Sequence, residues 1–393
     1  MYGGAKMLAE AVKSKKRAHK FGEFELMKAI AILGLPAVHL LEEGLLYEYV
    51  SEGVMRLETA IVALCILGPS IFMICMGFNL GGTPTPLHIL FKQGVQYLAL
   101  GAILNVLRWL LPGLIYWGLF ADPLIDDIGY CLVSDIYFFV GLFHIFYSLL
   151  QKLNVKTPGL IITSIIMLSF NTLLTPITAP CAQYVILDSI LGNFVYVSET
   201  SCFPLLSWAI FPSIGILLGD VLKKVDDDKR EKIMKRMIVF SPLVFASFIV
   251  FLWNYKIDIL SVLVSPLNAY ITDLPNVILM ITLALFMFGV LYYLCKAIDK
   301  TRFMNFMSRI STFIVPFYML QWILVSWVLF ALDLIGIGYG TFNIGWYLLC
   351  VVAITDVCIY VSVKHGLKLT KLLLRMTSFK KRRKKKVSTN KTT

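Results

Sequence analysis

The chain has 393 residues, of which 58% are hydrophobic and only 15% are charged. About a quarter of the residues in a soluble domain are charged, so this composition excludes an ordinary soluble protein and favours one polytopic membrane domain. The net charge of +12 would suggest nucleic-acid binding in a soluble protein. Here the basic residues lie between apolar segments, and membrane topology explains the charge without a nucleic-acid partner.

Apolar segments of about 20 residues recur along the chain and predict an all-α integral membrane protein, a bundle of about ten transmembrane helices. The predicted spans are 24–41, 59–80, 88–111, 132–151, 158–177, 204–222, 237–255, 274–295, 310–335 and 343–364. They form one transmembrane domain over residues 24–366, between a basic segment at 1–23 and a basic tail at 367–393. Two shorter apolar segments, 183–197 and 256–270, are expected to lie at the membrane surface or to re-enter it.

Lys and Arg residues are concentrated in every second connection between the predicted spans. Five basic segments share one side of the membrane, at 13–20, 152–156, 223–236, 296–309 and 380–386. Because cytoplasmic segments carry the excess of Lys and Arg, both termini are predicted to be cytoplasmic, and the protein is expected in the plasma membrane. The basic tail could also bind anionic membrane lipid.

The eight cysteines are scattered, and none of their spacings is typical of a metal site. No metal is therefore expected. Cys181 and Cys202 fall in one predicted loop region, where either a disulfide bond or two thiols would fit.

The first predicted span carries two ionisable residues, Lys28 and His39, with ten residues between them. On an α-helix this spacing is about 16 Å and brings both side chains onto nearly one face. Ionisable groups inside a bilayer are costly and usually functional, so the pair suggests a polar path along the helix. Glu42 and Glu43 follow within one turn, and either carboxylate could orient His39 as a general base. The alternative is a structural histidine at the interface, bonded to Glu43.

Three further residues are candidate contacts to a substrate. Arg108 ends the third predicted span, where snorkelling to the interface is the simpler alternative, and Asn105 lies one turn before it. Gln321 lies in the ninth predicted span, three residues after Tyr318 and on the same face. At the basic end of the second span, Asn79 is a candidate contact to a cofactor together with Lys28.

Three other polar residues lie within or at the ends of the spans: Asp135, His144 and Asp356. His144 is interpreted as a core histidine with an internal hydrogen bond. Asp356 falls in the middle of the tenth span and needs a cationic or hydroxyl partner, for which Lys28 is a candidate.

Four places in the chain resemble the motifs of a known family: the Lys28-x10-His39 pair, FMICMGFNLGG at 72–82, the paired segments 133–153 and 202–224, and SRISTFIVPFYMLQW at 308–322. In this order they resemble the transmembrane acyltransferases, namely the heparan-α-glucosaminide N-acetyltransferase-like group and its acyltransferase-three and YeiB-like relatives. The resemblance covers about residues 21–365. It departs from the family at Lys28, where Arg is common, and at Gln321, where several relatives carry His.

The resemblance implies a membrane-bound acyltransferase that takes an acyl group, acetyl above all, from acyl-CoA in the cytoplasm. It implies an extracytoplasmic acceptor, a sugar or glycan, with His39 as the general base and Lys28 at the donor site. The expected partners are membrane lipid, the small-molecule donor, the glycan or lipid-linked sugar acceptor and, as an open possibility, further copies of the chain. Two alternatives stay open: a transporter or flippase with Lys28, His39 and Asp356 as a relay, and a non-catalytic subunit.

Overall fold

The computed structural model describes residues 21–42, 67–82, 85–120, 133–198, 201–254, 274–335 and 344–377. Within these ranges the chain is helical, and the only β-type pairing consists of two isolated bridges at Ser201. The prediction of an all-α protein is therefore confirmed for the part of the chain that is described.

The helices are numbered in chain order. The first seven are α1 Gly22–Glu42, α2 Gly68–Leu80, α3 Leu87–Asn105, α4 Leu111–Phe120, α5 Ile136–Lys152, α6 Thr157–Thr178 and α7 Val185–Gly192. The next seven are α8 Leu205–Trp208, α9 Ile210–Leu222, α10 Asp227–Asn254, α11 Leu274–Ile298, α12 Arg302–Thr312, α13 Ile314–Leu334 and α14 Ile344–Met376. A π-helical turn, Val106–Leu110, joins α3 to α4, and a 3₁₀ turn, Ala179–Gln183, follows α6.

Eight of the described helical segments are long and apolar enough to cross a membrane: α1, α3 with α4, α6, α8 with α9, α10, α11, α13 and α14. This confirms a multi-pass membrane protein. The remaining two predicted spans coincide with the shorter apolar helices α2 and α5, which have 13 and 17 residues. The total of ten spans therefore stays a prediction.

Several predicted boundaries differ from the helices that form. The predicted span 88–111 is part of a longer helical run, which passes through a π-helical turn at Val106–Leu110 and continues to Phe120 in spite of Pro112 and Gly113. The predicted span 310–335 begins after a break at Phe313, and α12 before it is a separate amphipathic helix. Of the two shorter apolar segments, 183–197 contains α7, whereas 256–270 lies outside the described residues.

The basic connections meet at one end of the bundle, which we call the basic end. The hydroxyl of Thr157 donates to Asp220, which joins the start of α6 to the end of α9. Lys296 donates to Glu231 over 2.6 Å, which joins the end of α11 to the start of α10. Lys and Arg in successive described connections therefore share one side, as the charge pattern predicts.

Glycines allow α2 and α9 to pack at backbone contact. A Cβ atom added at Gly77 would lie 1.9 Å from the carbonyl oxygen of Pro212, and one at Gly215 would lie 2.0 Å from that of Ile74. Small residues bring membrane helices together in this way because lipid provides no hydrophobic drive for their association. At the basic end of this pair, Lys223 donates to the carbonyl of Gly81 over 2.6 Å and so satisfies the end of α2.

Cys181 and Cys202 are not joined by a disulfide bond. The two residues are therefore free thiols, which is one of the two alternatives that the sequence leaves open.

Candidate functional site

His39 lies in the last turn of α1, where it is 6% exposed. Its Nδ1 atom donates a proton to Oε1 of Gln321 on α13, over 2.9 Å. An oxygen acceptor requires the proton to be on Nδ1, so in the neutral ring Nε2 carries the lone pair. The buried ring is therefore held as a neutral imidazole with one nitrogen able to accept a proton.

The described hydrogen bond of His39 is to a residue to which the sequence assigns a different role. The sequence predicts that Glu42 or Glu43 orients the ring; α1 ends at Glu42, whose side chain lies outside the described part of the chain, as does all of Glu43, so this role stays a prediction. The bond that the structure describes is to Gln321, which is fully buried and which the sequence suggests as a contact to a substrate. Gln321 is thus a positioning residue for the imidazole.

Two aromatic and cationic contacts complete the surroundings of the ring. The indole of Trp322 stacks on the imidazole of His39, with 3.7 Å between ring centroids. The guanidinium of Arg108 lies 4.5 Å from the centroid of the same indole. A cation over an aromatic face is attracted by the ring quadrupole, so Trp322 links Arg108 to His39 within one packed unit.

The side chain of Arg108 is buried against other helices, which does not fit snorkelling to the membrane interface. Arg108 lies in the π-helical turn Val106–Leu110, and only 2% of the residue is exposed. Turns of this kind change the direction of side chains and are frequent at functional sites. The helix continues through α4 for ten further residues, so Arg108 is inside the bundle.

Asp135 brings a carboxylate to the same place. It is the N-cap of α5, where Oδ1 accepts from the amide of Tyr137 over 2.9 Å, and the residue is 4% exposed. Its charge interacts with that of Arg108, and its carboxylate lies beside the hydroxyl of Tyr318. Asn105 holds the preceding loop, because its amide donates to the carbonyl of Val133 over 2.6 Å.

These residues form one buried unit, which we call the His39 cluster: His39, Asn105, Arg108, Asp135, Tyr318, Gln321 and Trp322. The sequence singles out His39, Asn105, Arg108 and Gln321 as candidates, and the fold brings them together. The sequence does not single out Asp135 or Trp322 as site residues. The signal for Asp135 is its position as an acidic residue directly before an apolar helix, a place where an N-cap is expected.

Buried polar atoms without a hydrogen-bond partner among the described residues are concentrated in and beside the cluster, and five of them are Nε of Arg108, Oδ2 of Asp135, Nε2 of Gln321, Nε1 of Trp322 and Oγ of Ser326. Buried polar groups are nearly always bonded, so this concentration indicates a place that takes water or a polar ligand. Four of the five can donate, and one is a carboxylate acceptor. The lining therefore suits an oxygen-rich ligand that also has a hydroxyl or amine.

The remaining predicted contacts lie elsewhere. Lys28 is half-buried, about 16 Å below His39 along α1 and toward the basic end. The side chain of Asn79 is exposed, and its carbonyl accepts from Lys223 over 3.3 Å. Asp356 is exposed on α14, so the suggested pairing with Lys28 does not form. His144 donates from Nδ1 to the carbonyl of Val140 over 2.7 Å, which agrees with a core histidine.

Among the described residues, no group of three or more His, Cys, Asp or Glu side chains could hold a metal ion. A comparison of the chain with protein-family models, with curated proteins and with solved structures gives no match.

Proposed function

We propose that this chain is a membrane acyltransferase that moves an acyl group, acetyl in the first instance, from acyl-CoA to a sugar or glycan acceptor. The observation that carries the proposal is the hydrogen bond between Nδ1 of His39 and Oε1 of Gln321. It leaves Nε2 as a free base inside a buried cluster whose other polar atoms are mostly donors. Acyl transfer needs both elements, a base for the acceptor and donors for the developing oxyanion.

The chemistry that we assign to the cluster is a direct transfer. Nε2 of His39 takes the proton from a hydroxyl or amine of the acceptor as that atom attacks the thioester carbonyl. The carbonyl oxygen becomes an oxyanion, which Nε of Arg108 and Nε1 of Trp322 can stabilise by donating to it. When the C–S bond breaks, the CoA thiolate takes the proton from the imidazolium and leaves as the thiol.

Asp135 and Tyr318 are the proposed contacts of the acceptor. A buried carboxylate accepts hydrogen bonds from hydroxyl groups, and an aromatic ring packs against the apolar face of a sugar. Arg108 offsets the charge of Asp135 inside the bundle, which a carboxylate at this depth requires.

The membrane arrangement that we propose has ten spans, with both termini cytoplasmic and the protein in the plasma membrane. The support is the clustering of Lys and Arg at the basic end. Lys28 lies toward that end from His39, so it is the candidate to bind a phosphate or carbonyl of the donor as acyl-CoA enters. Asn79, exposed near the same end, is a second candidate.

The test is release of CoA thiol by purified protein in lipid nanodiscs, with acetyl-CoA as donor and a panel of sugars and amino sugars as acceptors. His39→Gln keeps a hydrogen-bonding group of similar reach without useful basicity, and should lower turnover by about 10²–10⁴-fold. His144→Gln is the matched control, because His144 is equally buried but bonded within its own helix. Equal turnover of wild type and His39→Gln would refute the role of His39 as the general base.

A transporter or flippase is the second candidate. The observation that favours it is the presence of Arg108 and Asp135 together inside the bundle, since paired charges within membrane segments also mark substrate and proton pathways. Uptake or lipid scrambling in proteoliposomes, without consumption of acetyl-CoA, would favour this function over acyl transfer.

A further inference from the structure

None of the described residues covers one face of α14. The helix has 33 residues and is about 50 Å long, more than the roughly 30 Å of a bilayer core. The buried positions recur every three or four residues and pack on the bundle: Tyr347, Cys350, Ile354, Cys358, Ser362 and Gly366. The residues on the opposite face are exposed, among them Leu349, Val352 and Tyr360.

A carboxylate lies in the middle of the apolar part of this face. Asp356 is exposed, between Val352 and Tyr360, which are 58% and 56% exposed. It comes 12 residues after the start of α14 and eight before Lys364, so about 12–18 Å of helix separates it from either end of the apolar part. Within the described residues Asp356 has neither an ion pair nor a hydrogen bond. A carboxylate at this depth is costly unless something outside these residues pairs with it.

A row of cations continues the same face toward the basic end. Lys364, Lys368, Lys371 and Arg375 are all exposed, and their spacing of four, three and four residues aligns them on one side of the helix. Lys364 donates to the hydroxyl of Tyr360 over 2.6 Å, which directs it along this face toward Asp356. The face thus has one negative charge at bilayer depth and a positive row beside it.

We propose that this face binds a transmembrane helix of a partner protein. The chemistry of that helix follows from the charges: a basic side chain at the depth of Asp356 and acidic residues beside the basic row. The spacing between the two features on the partner should match the eight residues from Asp356 to Lys364. This interaction does not depend on the acyltransferase function.

Two other occupants fit the charges less well. A second copy of the chain, paired through the same face, would set Asp356 against Asp356 and the basic row against itself, which like charges oppose. Anionic lipid headgroups would neutralise the basic row but cannot reach a carboxylate in the hydrocarbon region. Of these three occupants, a helix with the opposite pattern of charge satisfies both parts of the face.

Site-specific photocrosslinking in native membranes tests the proposal. A benzoylphenylalanine at Val352 lies next to Asp356, and one at Ile166, 49% exposed on α6, is the control for lipid-facing positions. We expect one protein adduct from position 352 and none from 166. Mass spectrometry of the adduct should identify an apolar segment that contains Lys or Arg and is followed by acidic residues.

Substitution of Asp356 tests whether its carboxylate pairs with the partner helix or whether that helix is only nearby. Asp356→Leu should lower the yield of the adduct at least tenfold, and Lys368→Gln with Lys371→Gln should lower it further. Expression and thermal stability should hold, because an exposed carboxylate is being replaced by an apolar residue. An adduct unchanged by Asp356→Leu would overturn the proposal. So would an adduct to a second copy of the chain, to lipid alone, or to a helix without a basic residue.

Discussion

His39 and Gln321 are 282 positions apart in the chain, and Nδ1 of one lies 2.9 Å from Oε1 of the other. Both residues are buried, so water cannot replace this bond. The bond fixes which nitrogen of the ring carries the proton, and with it the side of the ring that can act as a base. Gln321 should therefore control the activity of His39 by fixing the position of the ring.

The first prediction concerns Gln321→Leu. Without the amide oxygen the imidazole loses its fixed orientation, and turnover should fall about 10²-fold, the loss typical of a misplaced catalytic group. Gln321→Glu keeps the acceptor but favours the protonated imidazole, so the acid limb of the pH–rate profile should move to higher pH. Steady-state kinetics of CoA release across the pH range measures both effects.

Gln151→Leu is the control for this prediction, because Gln151 lies at the end of α5 outside the His39 cluster. Its profile should match that of the wild type. If Gln321→Glu also kept the wild-type profile, Gln321 would have only a packing role.

The second prediction concerns Arg108 and Asp135. Arg108 and Asp135 interact through their charges without forming an ion pair, so Arg108→Met should lower the free energy of unfolding by about 1–3 kcal/mol, the Coulomb energy of two charges several ångströms apart at an effective dielectric constant of about 20. The double variant, Arg108→Met with Asp135→Asn, removes both charges and should recover most of that loss. Thermal unfolding in detergent measures the coupling between the two sites.

Substitutions of Arg108 and Asp135 should affect activity and stability differently. The double variant should stay inactive, because it lacks both the oxyanion donor and the acceptor contact. Arg108→Lys keeps the charge but not the planar guanidinium over Trp322, and should fold with reduced turnover. An active double variant would show that the pair is structural.

The third prediction concerns the contact between α2 and α9. In Gly77→Ala the new methyl group would meet the carbonyl of Pro212 at 1.9 Å, so the two helices must move apart. Overpacking of this kind destabilises a protein by about 1–3 kcal/mol. Gly118→Ala is the matched control, since no atom lies within 4 Å of the added carbon. A common melting temperature for both variants would mean that the contact between α2 and α9 is looser than described.

The sequence predicts the multi-pass helical architecture well, because long apolar segments and the positions of Lys and Arg depend on local composition. It also singles out His39 and Arg108, since ionisable groups inside apolar segments are rare. It does not predict which of them meet. The partner of His39 comes from α13, and no periodicity within α1 indicates that contact.

The suggested pair of Lys28 and Asp356 shows the same limit from the other side. Lys28 and Asp356 have opposite charges and could form an ion pair. Whether they meet depends on which face of each helix packs against the bundle, because that sets where each side chain lies. The small and aromatic residues on the buried side of α14 set its rotation, and Asp356 is exposed as a result. The packing of the helices determines which residues meet, and the charge pattern alone does not predict that packing.

The fourth prediction concerns the orientation of the protein. If the basic end is cytoplasmic, Lys224→Cys should react with an impermeant thiol reagent only after cells are permeabilised. Tyr184→Cys, 58% exposed in the connection between α6 and α7, should react in intact cells. Both are made with Cys181→Ser and Cys202→Ser, so that native thiols in the same region do not contribute. The reverse pattern of labelling would invert the proposed topology.

The fifth prediction concerns the ion pair between Glu23 and Arg230 at the basic end. The guanidinium of Arg230 donates to the Glu23 carboxylate, and the two side chains are only 7% and 2% exposed. Phe21 and Tyr292 pack against the same guanidinium, at 4.5 and 5.1 Å. The pair fixes the start of α1, the helix that carries His39, against α10 and α11.

Arg230→Met should lower the free energy of unfolding by about 3–5 kcal/mol, because it leaves the Glu23 carboxylate buried without its cation. Lys296→Met is the matched control: the ion pair of Lys296 with Glu231 is exposed at the same end, and exposed pairs contribute little to stability.

Replacing both charges, with Arg230→Met and Glu23→Gln, should recover stability while α1 is held less firmly. We then expect weaker binding of acyl-CoA with little change in turnover at saturation, since Lys28 is nearer to this end than His39 is. If the double variant bound acyl-CoA as the wild type does, the ion pair would stabilise the bundle without positioning α1.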